Sequence, residues 1–173
     1  MAEEPGPFGV VTLARRGGGD WLLSELVARA EAAGRPVIAL VRAEVPGEEG
    51  CDMSLRLVPG GRVQVISQSL GRAAEACALD QGALEQAVAE TEAALRASAP
   101  GTPLILNKFG KVEAAGHGCR PLIALALETG HPVLTSVASE NRAAFDAFAE
   151  GLAEDLPADL DGLERFLWPQ GRP

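Results

Sequence analysis

The chain has 173 residues, of which 47% are hydrophobic and 23% charged, and its formal net charge is −9. This length gives room for one domain that buries ~70% of its unfolded surface, and the composition excludes general disorder. The acidic balance argues against binding to nucleic acid or to an anionic membrane surface.

The cysteines and the amino terminus indicate the compartment. The chain has three cysteines, Cys51, Cys77 and Cys119, which lie far apart in the sequence. A secreted disulfide framework usually has an even number of more closely spaced cysteines. The first residues are acidic where a signal peptide needs basic ones, and no run approaches the ~18 apolar residues of a membrane span. We therefore expect a cytoplasmic, reduced protein without membrane insertion.

The first 41 residues predict a strand, a helix and a second strand. Residues 8–14 and 37–41 are short apolar runs. Between them, residues 21–33 have apolar side chains at helical spacing, with Asp20 as a candidate N-cap and Gly34 as a stop signal. A unit of this length is typical of a right-handed parallel crossover.

The next segment has a different period. Residues 53–58 and 62–67 alternate between apolar and polar side chains on either side of a Pro-Gly-Gly turn at 59–61. This pattern predicts a β-hairpin that extends a sheet edge or covers a site as a lid. Residues 69–79 predict a surface loop.

The rest of the chain alternates helix and strand, which predicts an α/β three-layer sandwich with a mostly parallel sheet of four strands, plus the β-hairpin. The domain is predicted to cover residues 1–154. Residues 155–173 are predicted to form a Pro-, Asp- and Gly-rich tail with one short helix. The further predicted helices are 80–97, 120–128, 140–152 and, in the tail, 160–167; the further strands are 104–106 and 133–137.

The topology predicts where a ligand binds. In open parallel sheets, ligands lie beyond the carboxyl ends of the strands. This rule selects four segments without using any motif: 15–20, 42–44, 107–113 and 137–141.

The first of these segments contains a candidate anion loop, Arg15-Arg16-Gly17-Gly18-Gly19. Glycines between a strand and a helix let backbone N–H groups face an anion, and arginines grip its oxygens. The loop lacks the lysine and hydroxyl of the phosphate-loop pattern GxxxxGK[ST], so a glycine-rich surface turn remains the alternative.

The segment after the third buried strand holds the other candidate binding residues, Asn107, Lys108, Gly110, Lys111 and Glu113. Asparagine and lysine at a strand end are typical of guanine-reading NKxD sequences. Gly110 stands where the aspartate is needed, so that role loses its physical basis. The alternative is a solvated loop with two lysines.

Soft-metal binding is a further alternative, with Cys51, Cys77 and the glycine-flanked His117 as ligands. A buried free cysteine that packs as a small hydrophobe is the more common case. His131 precedes a proline at a strand start, which favours a structural role. No serine, cysteine or histidine arrangement indicates a hydrolase triad.

Residues 51–57, 77–80, 104–118 and 132–137 resemble a bacterial family of unknown function. Its members often lie beside molybdenum transport genes or carry molybdenum-related names. The resemblance runs from about residue 9 to residue 152. That family is remotely similar to the small P-loop nucleoside-triphosphatases, which implies a P-loop-like fold.

Those enzymes place a DEIGKMEL-type sequence after a buried strand. Gly110, Lys111 and Glu113 match this pattern, whereas Asn107 and Lys108 occupy the positions of the acidic pair that holds magnesium and orients water. Phosphoryl transfer depends on such positioned charges. The resemblance therefore implies a fold that has kept an anion pocket and lost hydrolysis.

Three hypotheses follow, and the first favours a binding protein over an enzyme. It takes a small anion: molybdate or tungstate is implied by the family's gene neighbourhood, and ATP or GTP by its fold. The second is an active nucleoside-triphosphatase with Glu113 as base and Asp52 as metal ligand. The third is a metal-handling protein that uses Cys51, Cys77 and His117. A protein partner or a homo-oligomer stays open in each case.

Overall fold

The computed structural model describes residues 6–14, 20–43, 53–68 and 78–169. The helices and strands alternate along most of the chain. The strands are β1 (Phe8–Leu13), β2 (Ile38–Arg42), β3 (Ser54–Val58), β4 (Val63–Val65), β5 (Ser67–Gln68), β6 (Ala78–Leu79), β7 (Leu104–Phe109), β8 (Val133–Ala138) and β9 (Ala153–Asp155). The helices are α1 (Asp20–Ala32), α2 (Gln81–Ala97), α3 (Lys111–Ala114), α4 (Arg120–Glu128), α5 (Arg142–Ala149) and α6 (Leu160–Leu167).

Within the described residues, seven strands form one sheet in the order β4-β3-β2-β7-β8-β1-β9. The five strands from β2 to β9 in this order run parallel. The β3–β4 hairpin pairs antiparallel with β2 and extends that edge, and β5 and β6 form a separate antiparallel pair. The predicted mostly parallel sheet with one added hairpin is confirmed.

Helices cover both faces of the sheet, which makes three layers. Alternate residues of each strand point to opposite faces. Val10 and Leu40 pack in the core that α2, α4 and α5 cover. Val11 and Val41 pack in the core that α1 and α6 cover. Because the inner strands are buried on both faces, they are continuous apolar runs in the sequence.

Most predicted helix ends agree with the structure. The Asp80 carboxylate accepts a hydrogen bond from the Ala83 N–H at 3.0 Å and caps α2. Gly34 follows α1 with a φ of +68°. Asp20, predicted as an N-cap, is instead the first residue of α1. No helix in the described part of the chain is long and apolar enough to cross a membrane.

The predicted helix 140–152 is shorter in the structure. A 3-10 turn covers Ser139–Asn141, and α5 covers only Arg142–Ala149. Glu150 adopts a left-handed conformation with a φ of 49°, which ends the helix.

The described residues after α5 form a strand and a helix. β9 spans the predicted boundary at residue 154 and pairs with β1, so the described part has five parallel strands where four were expected. α6 covers the predicted residues, and its Leu163 and Leu167 are buried. Their spacing brings them onto one face of the helix. β9 has only three residues and no apolar run, so nothing in the local sequence predicts it.

Candidate functional site

A cavity of ≈ 350 Å³ opens beside the carboxyl ends of β2 and β7. Its apolar side comes largely from the β3–β4 hairpin and the start of α2. Its polar side comes from the end of β2, the end of β7 and the loop that follows. The polar side includes Arg42, Asn107, Lys108, Lys111 and Glu113.

The cavity lies at part of the edge that the topology predicted. Arg42 and several residues of the segment 107–113 line it. None of the described residues at 137–141 lines it. The anion-loop residues 15–19, together with residue 44, lie outside the described residues, so their part in any site stays a prediction.

A bulge in β7 brings two consecutive side chains to the cavity. Leu106 pairs with Thr135 of β8 and Phe109 with Val137, so β7 has one extra residue between these pairs. Successive side chains of a regular strand point to opposite faces, and a bulge re-aims them. Asn107 and Lys108 both line the cavity, and the peptide bond between them is cis.

Asn107 is also tied to the neighbouring strand. The Ser136 hydroxyl donates a hydrogen bond to Asn107 Oδ1 at 3.3 Å. One residue earlier on β8, the Thr135 hydroxyl donates to the Leu106 carbonyl at 2.9 Å. Both hydroxyl groups belong to fully buried residues. These two hydrogen bonds from β8 therefore hold the bulge of β7 in position.

Glu113 fixes the loop after β7 from within. Its side chain is 5% exposed. Its Oε2 accepts a hydrogen bond from the Gly110 N–H at 2.9 Å, and its Oε1 accepts one from the Cys119 N–H at 3.2 Å. A buried carboxylate is stable when such donors satisfy it. The sequence carried a signal for this role, since a glutamate three residues after a helix N-cap is the second half of a capping box.

Two glycines shape the loop around Glu113, and one of them makes room for its carboxylate. Gly116 and Gly118 have φ values of +98° and +63°, a region that favours glycine. A β-carbon at position 118 would overlap Glu113 Oε1. His117, which lies between these glycines, is exposed and is not among the cavity-lining residues.

Cys119 lies beside Glu113 at the base of the cavity and is a buried free thiol. Burial raises the pKa of the Cys119 thiol well above its ordinary value, and the charge and hydrogen bonding of Glu113 raise it further. The thiol is therefore protonated at neutral pH and has little nucleophilic character.

Two of the three proposed soft-metal ligands, Cys51 and Cys77, lie outside the described residues. Asp52, the metal ligand of the triphosphatase hypothesis, lies outside them as well. Within the described ranges, no three His, Cys, Asp or Glu side chains lie close enough to hold a metal ion. Soft-metal binding therefore stays a prediction. His131 is buried, and its Nδ1 lies 2.8 Å from the Thr102 carbonyl oxygen, which agrees with the expected structural role.

The charge around the cavity differs from that of the whole chain. Of its described lining residues, Arg42, Lys108 and Lys111 are basic and Glu113 is acidic. Both carboxylate oxygens of Glu113 accept backbone hydrogen bonds. The Arg42 guanidinium lies 5.5 Å from the ring centroid of Trp21. Among the described lining residues, basic side chains therefore outnumber acidic ones, in a chain with a net charge of −9.

Residues 9–166 match a family described as "Protein of unknown function (DUF2478)". The chain belongs to the DUF2478 family. A curated relative is the molybdenum import ATP-binding protein ModC 2 of Bradyrhizobium diazoefficiens, with 31% identity over 149 residues. The match covers 85% of the DUF2478 chain but only 16% of that relative.

Two solved structures share the fold of this DUF2478 protein. A human cancer-related nucleoside triphosphatase has a TM-score of 0.62 and 14% identity, with 88% of each chain covered. THEP1 from Aquifex aeolicus has a TM-score of 0.62 and 12% identity, with 92% of this chain and 94% of THEP1 covered. At such low identity the likeness shows the fold alone, and it confirms the predicted P-loop-like α/β fold.

Proposed function

We propose that this protein binds a small anion in the cavity beside β2 and β7 and does not hydrolyse it. The observation that carries this proposal is the convergence of Arg42, Lys108 and Lys111 on one cavity at the carboxyl edge of the sheet. Ligands of open α/β sheets bind at this edge. Converging cations attract an anion more strongly inside a cavity than at an open surface, because less water screens them.

The lack of hydrolysis is proposed from the end of β7. The resemblance to P-loop enzymes implies an acidic pair at the positions of Asn107 and Lys108, where this chain has an amide and an ammonium group. The amide oxygen can contact magnesium but carries no negative charge, and the ammonium repels the metal. Glu113 accepts two backbone hydrogen bonds, which favours a structural role for it over that of a base.

Two ligand classes are open to test. The name of the relative, a molybdenum import protein, supports molybdate or tungstate. The fold shared with nucleoside triphosphatases supports ATP or GTP. The loop at residues 15–19 is proposed to add backbone donors for a ligand with several phosphates.

The test of binding is thermal unfolding with molybdate, tungstate, sulfate, phosphate, ATP and GTP. A ligand at a hundred times its dissociation constant stabilises by ~2.7 kcal/mol, and each kcal/mol moves the midpoint by ~2–4 °C. We expect at least one of these anions to raise the midpoint in the natural protein and not in Lys108→Ala.

The matched control is Arg165→Ala, which removes an exposed arginine of α6 on the other face of the sheet. This variant should keep the full shift. An equal shift in Lys108→Ala, or no shift with any of the anions, contradicts the proposed site.

A separate assay tests the lack of hydrolysis. Phosphate release from ATP and GTP is measured with magnesium and with chelator, and no magnesium-dependent release is expected. Release that is lost in Asp52→Asn would instead support the active nucleoside-triphosphatase.

A further inference from the structure

One side of the cavity is apolar, and the binding of an inorganic anion at the cations gives this side no role. Met53 and Leu55 from the β3 end of the hairpin, Ile66 after β4, Leu79 from β6 and Leu84 from α2 line it. We call these five residues the apolar wall. Leu55, Ile66 and Leu84 are buried, whereas Met53 and Leu79 are half-buried and so retain surface that a ligand can contact.

Backbone hydrogen bonds hold the apolar wall in place. β3 pairs with β2 so that Leu55 lies opposite Arg42, next to the cations. The Ile66 N–H donates to the Met53 carbonyl at 2.9 Å, and the Asp80 N–H donates to the Ile66 carbonyl at 2.7 Å. The wall is therefore formed before any ligand arrives, and a ligand that fits it pays little to order it.

The size of the cavity also exceeds the needs of an inorganic oxyanion. Its volume of ≈ 350 Å³ lies in the range of pockets for organic ligands, which begins at about 300 Å³. A water molecule takes about 30 Å³ of liquid volume, and a tetrahedral anion is only a few times larger. Such an anion at the lysines would leave the apolar wall in contact with water.

The described strand β1 does not reach the cavity. In the sheet order, β8 lies between β7 and β1. Adjacent strands are about 4.8 Å apart, so β1 lies roughly 10 Å from β7 and about 14 Å from β2. No described residue of β1 or β8 is among those that line the cavity.

We infer that this cavity binds an organic anion, with an apolar body against the apolar wall and one acidic group at Lys108, Lys111 and Arg42. This inference rests on the proposed function and narrows its ligand class. A phosphate, sulfonate or carboxylate can serve as the acidic group, because the cations supply charge and no geometry that selects among them.

The test uses isothermal titration calorimetry of the full chain with four probes. Naphthalene-1-sulfonate carries both the apolar body and the charge, inorganic sulfate and molybdate carry the charge alone, and 1-naphthol carries the body alone. We expect naphthalene-1-sulfonate to bind at one site and at least about tenfold more tightly than the other probes, since apolar contacts of this size discriminate by ten- to two-hundredfold.

Variants separate the two parts of the site. Leu79→Gln should weaken naphthalene-1-sulfonate about tenfold and leave the inorganic anions unchanged, because it alters the apolar wall alone. Lys108→Ala should weaken every anionic probe. Val65→Gln changes an apolar side chain of β4 that is 50% exposed and outside the cavity, and it should change neither. Met53→Gln repeats the wall test should Leu79→Gln fail to fold.

Each contrary result has a distinct meaning. In the first case, an inorganic anion binds in a Lys108-dependent way, but naphthalene-1-sulfonate binds no more tightly than that anion, or its affinity is unchanged in both wall variants. The organic ligand is then excluded, and the proposed anion site stands. If no anion binds in a Lys108-dependent way, both proposals are overturned. Equal affinity for 1-naphthol and naphthalene-1-sulfonate overturns the inferred pairing of charge and apolar body.

Discussion

Glu113 holds together the two ends of the loop that follows β7. Its carboxylate joins the Gly110 N–H to the Cys119 N–H, while the Arg120 guanidinium donates to its backbone carbonyl at 3.3 Å. The lysines of the cavity lie immediately before and at the start of this loop. The position of Lys111 therefore depends on a side chain that is buried beneath it.

Replacing Glu113 by glutamine tests this role. An amide has one acceptor oxygen where the carboxylate has two, so one backbone N–H loses its acceptor. A buried unsatisfied donor costs ~1–3 kcal/mol, and we expect the free energy of unfolding in urea to fall by that amount. Glu85→Gln, at an exposed position of α2, should change it by less than ~0.5 kcal/mol. Equal urea midpoints for the two variants would show that Glu113 does not fix the loop.

At the scale of elements, the carboxyl-terminal segment completes the second core. Leu163 is fully buried and Leu167 is 3% exposed, in the cluster that α1 covers. The Arg29 and Arg35 guanidinium groups of the α1 region reach the Glu164 carboxylate of α6 at 3.6 and 3.9 Å. The apolar contacts dominate, because partly exposed ion pairs contribute little.

The contribution of α6 to the stability of the fold can be measured by truncating the Leu163 side chain. Leu163→Ala should lower the free energy of unfolding by ~2–5 kcal/mol, because it leaves a cavity between α6 and the sheet. Leu152→Ala removes the same atoms from a side chain that is 59% exposed, and it should cost less than ~0.5 kcal/mol. The comparison is made by urea unfolding. If Leu163→Ala costs no more than Leu152→Ala, α6 is not part of the cooperative core.

The sequence predicts those elements whose signal is local. β2 and β7 are buried on both faces, so their apolar runs identify them, and the alternation around residues 59–61 identifies the hairpin. β9 has the sequence Ala-Glu-Asp, and only its pairing with β1 makes it a strand. Long-range pairing of this kind leaves no mark in the sequence of a short strand.

In the candidate site, too, some residues can be predicted from the sequence and others depend on long-range strand pairing. Arg42 and the residues after β7 can be predicted, because the rule for strand ends needs only the order of strands and helices. The apolar wall cannot, because it depends on which strand the hairpin pairs with. Leu55 lies opposite Arg42 only because β3 joins the sheet beside β2. The role of Glu113 could have been recognised from its spacing to Gly110.

At the scale of the whole molecule, one sheet is shared by both cores. Each central strand sends alternate side chains to the core under α1 and α6 and to the core under α2, α4 and α5. Loss of either helix layer exposes an apolar face of strands that also form the other core. The two layers of helices are therefore expected to unfold together.

The chain has two tryptophans, and Trp168 directly follows α6. In a Trp21→Phe variant, the fluorescence of Trp168 should change at the same urea concentration as the helical circular dichroism, which is the mark of a two-state transition. An earlier fluorescence change would show that the predicted tail from residue 155 unfolds independently of the domain.

The close contact between Gly118 and Glu113 limits how relatives of this chain can diverge. Any residue with a β-carbon at position 118 would need the space that Glu113 Oε1 occupies. Loss of the glycine alone is therefore unfavourable, whereas prior loss of the glutamate removes the steric conflict and leaves only the preference set by the positive φ. We expect the two positions to covary, with glycine at 118 disappearing during evolution only in lineages that have already given up the glutamate.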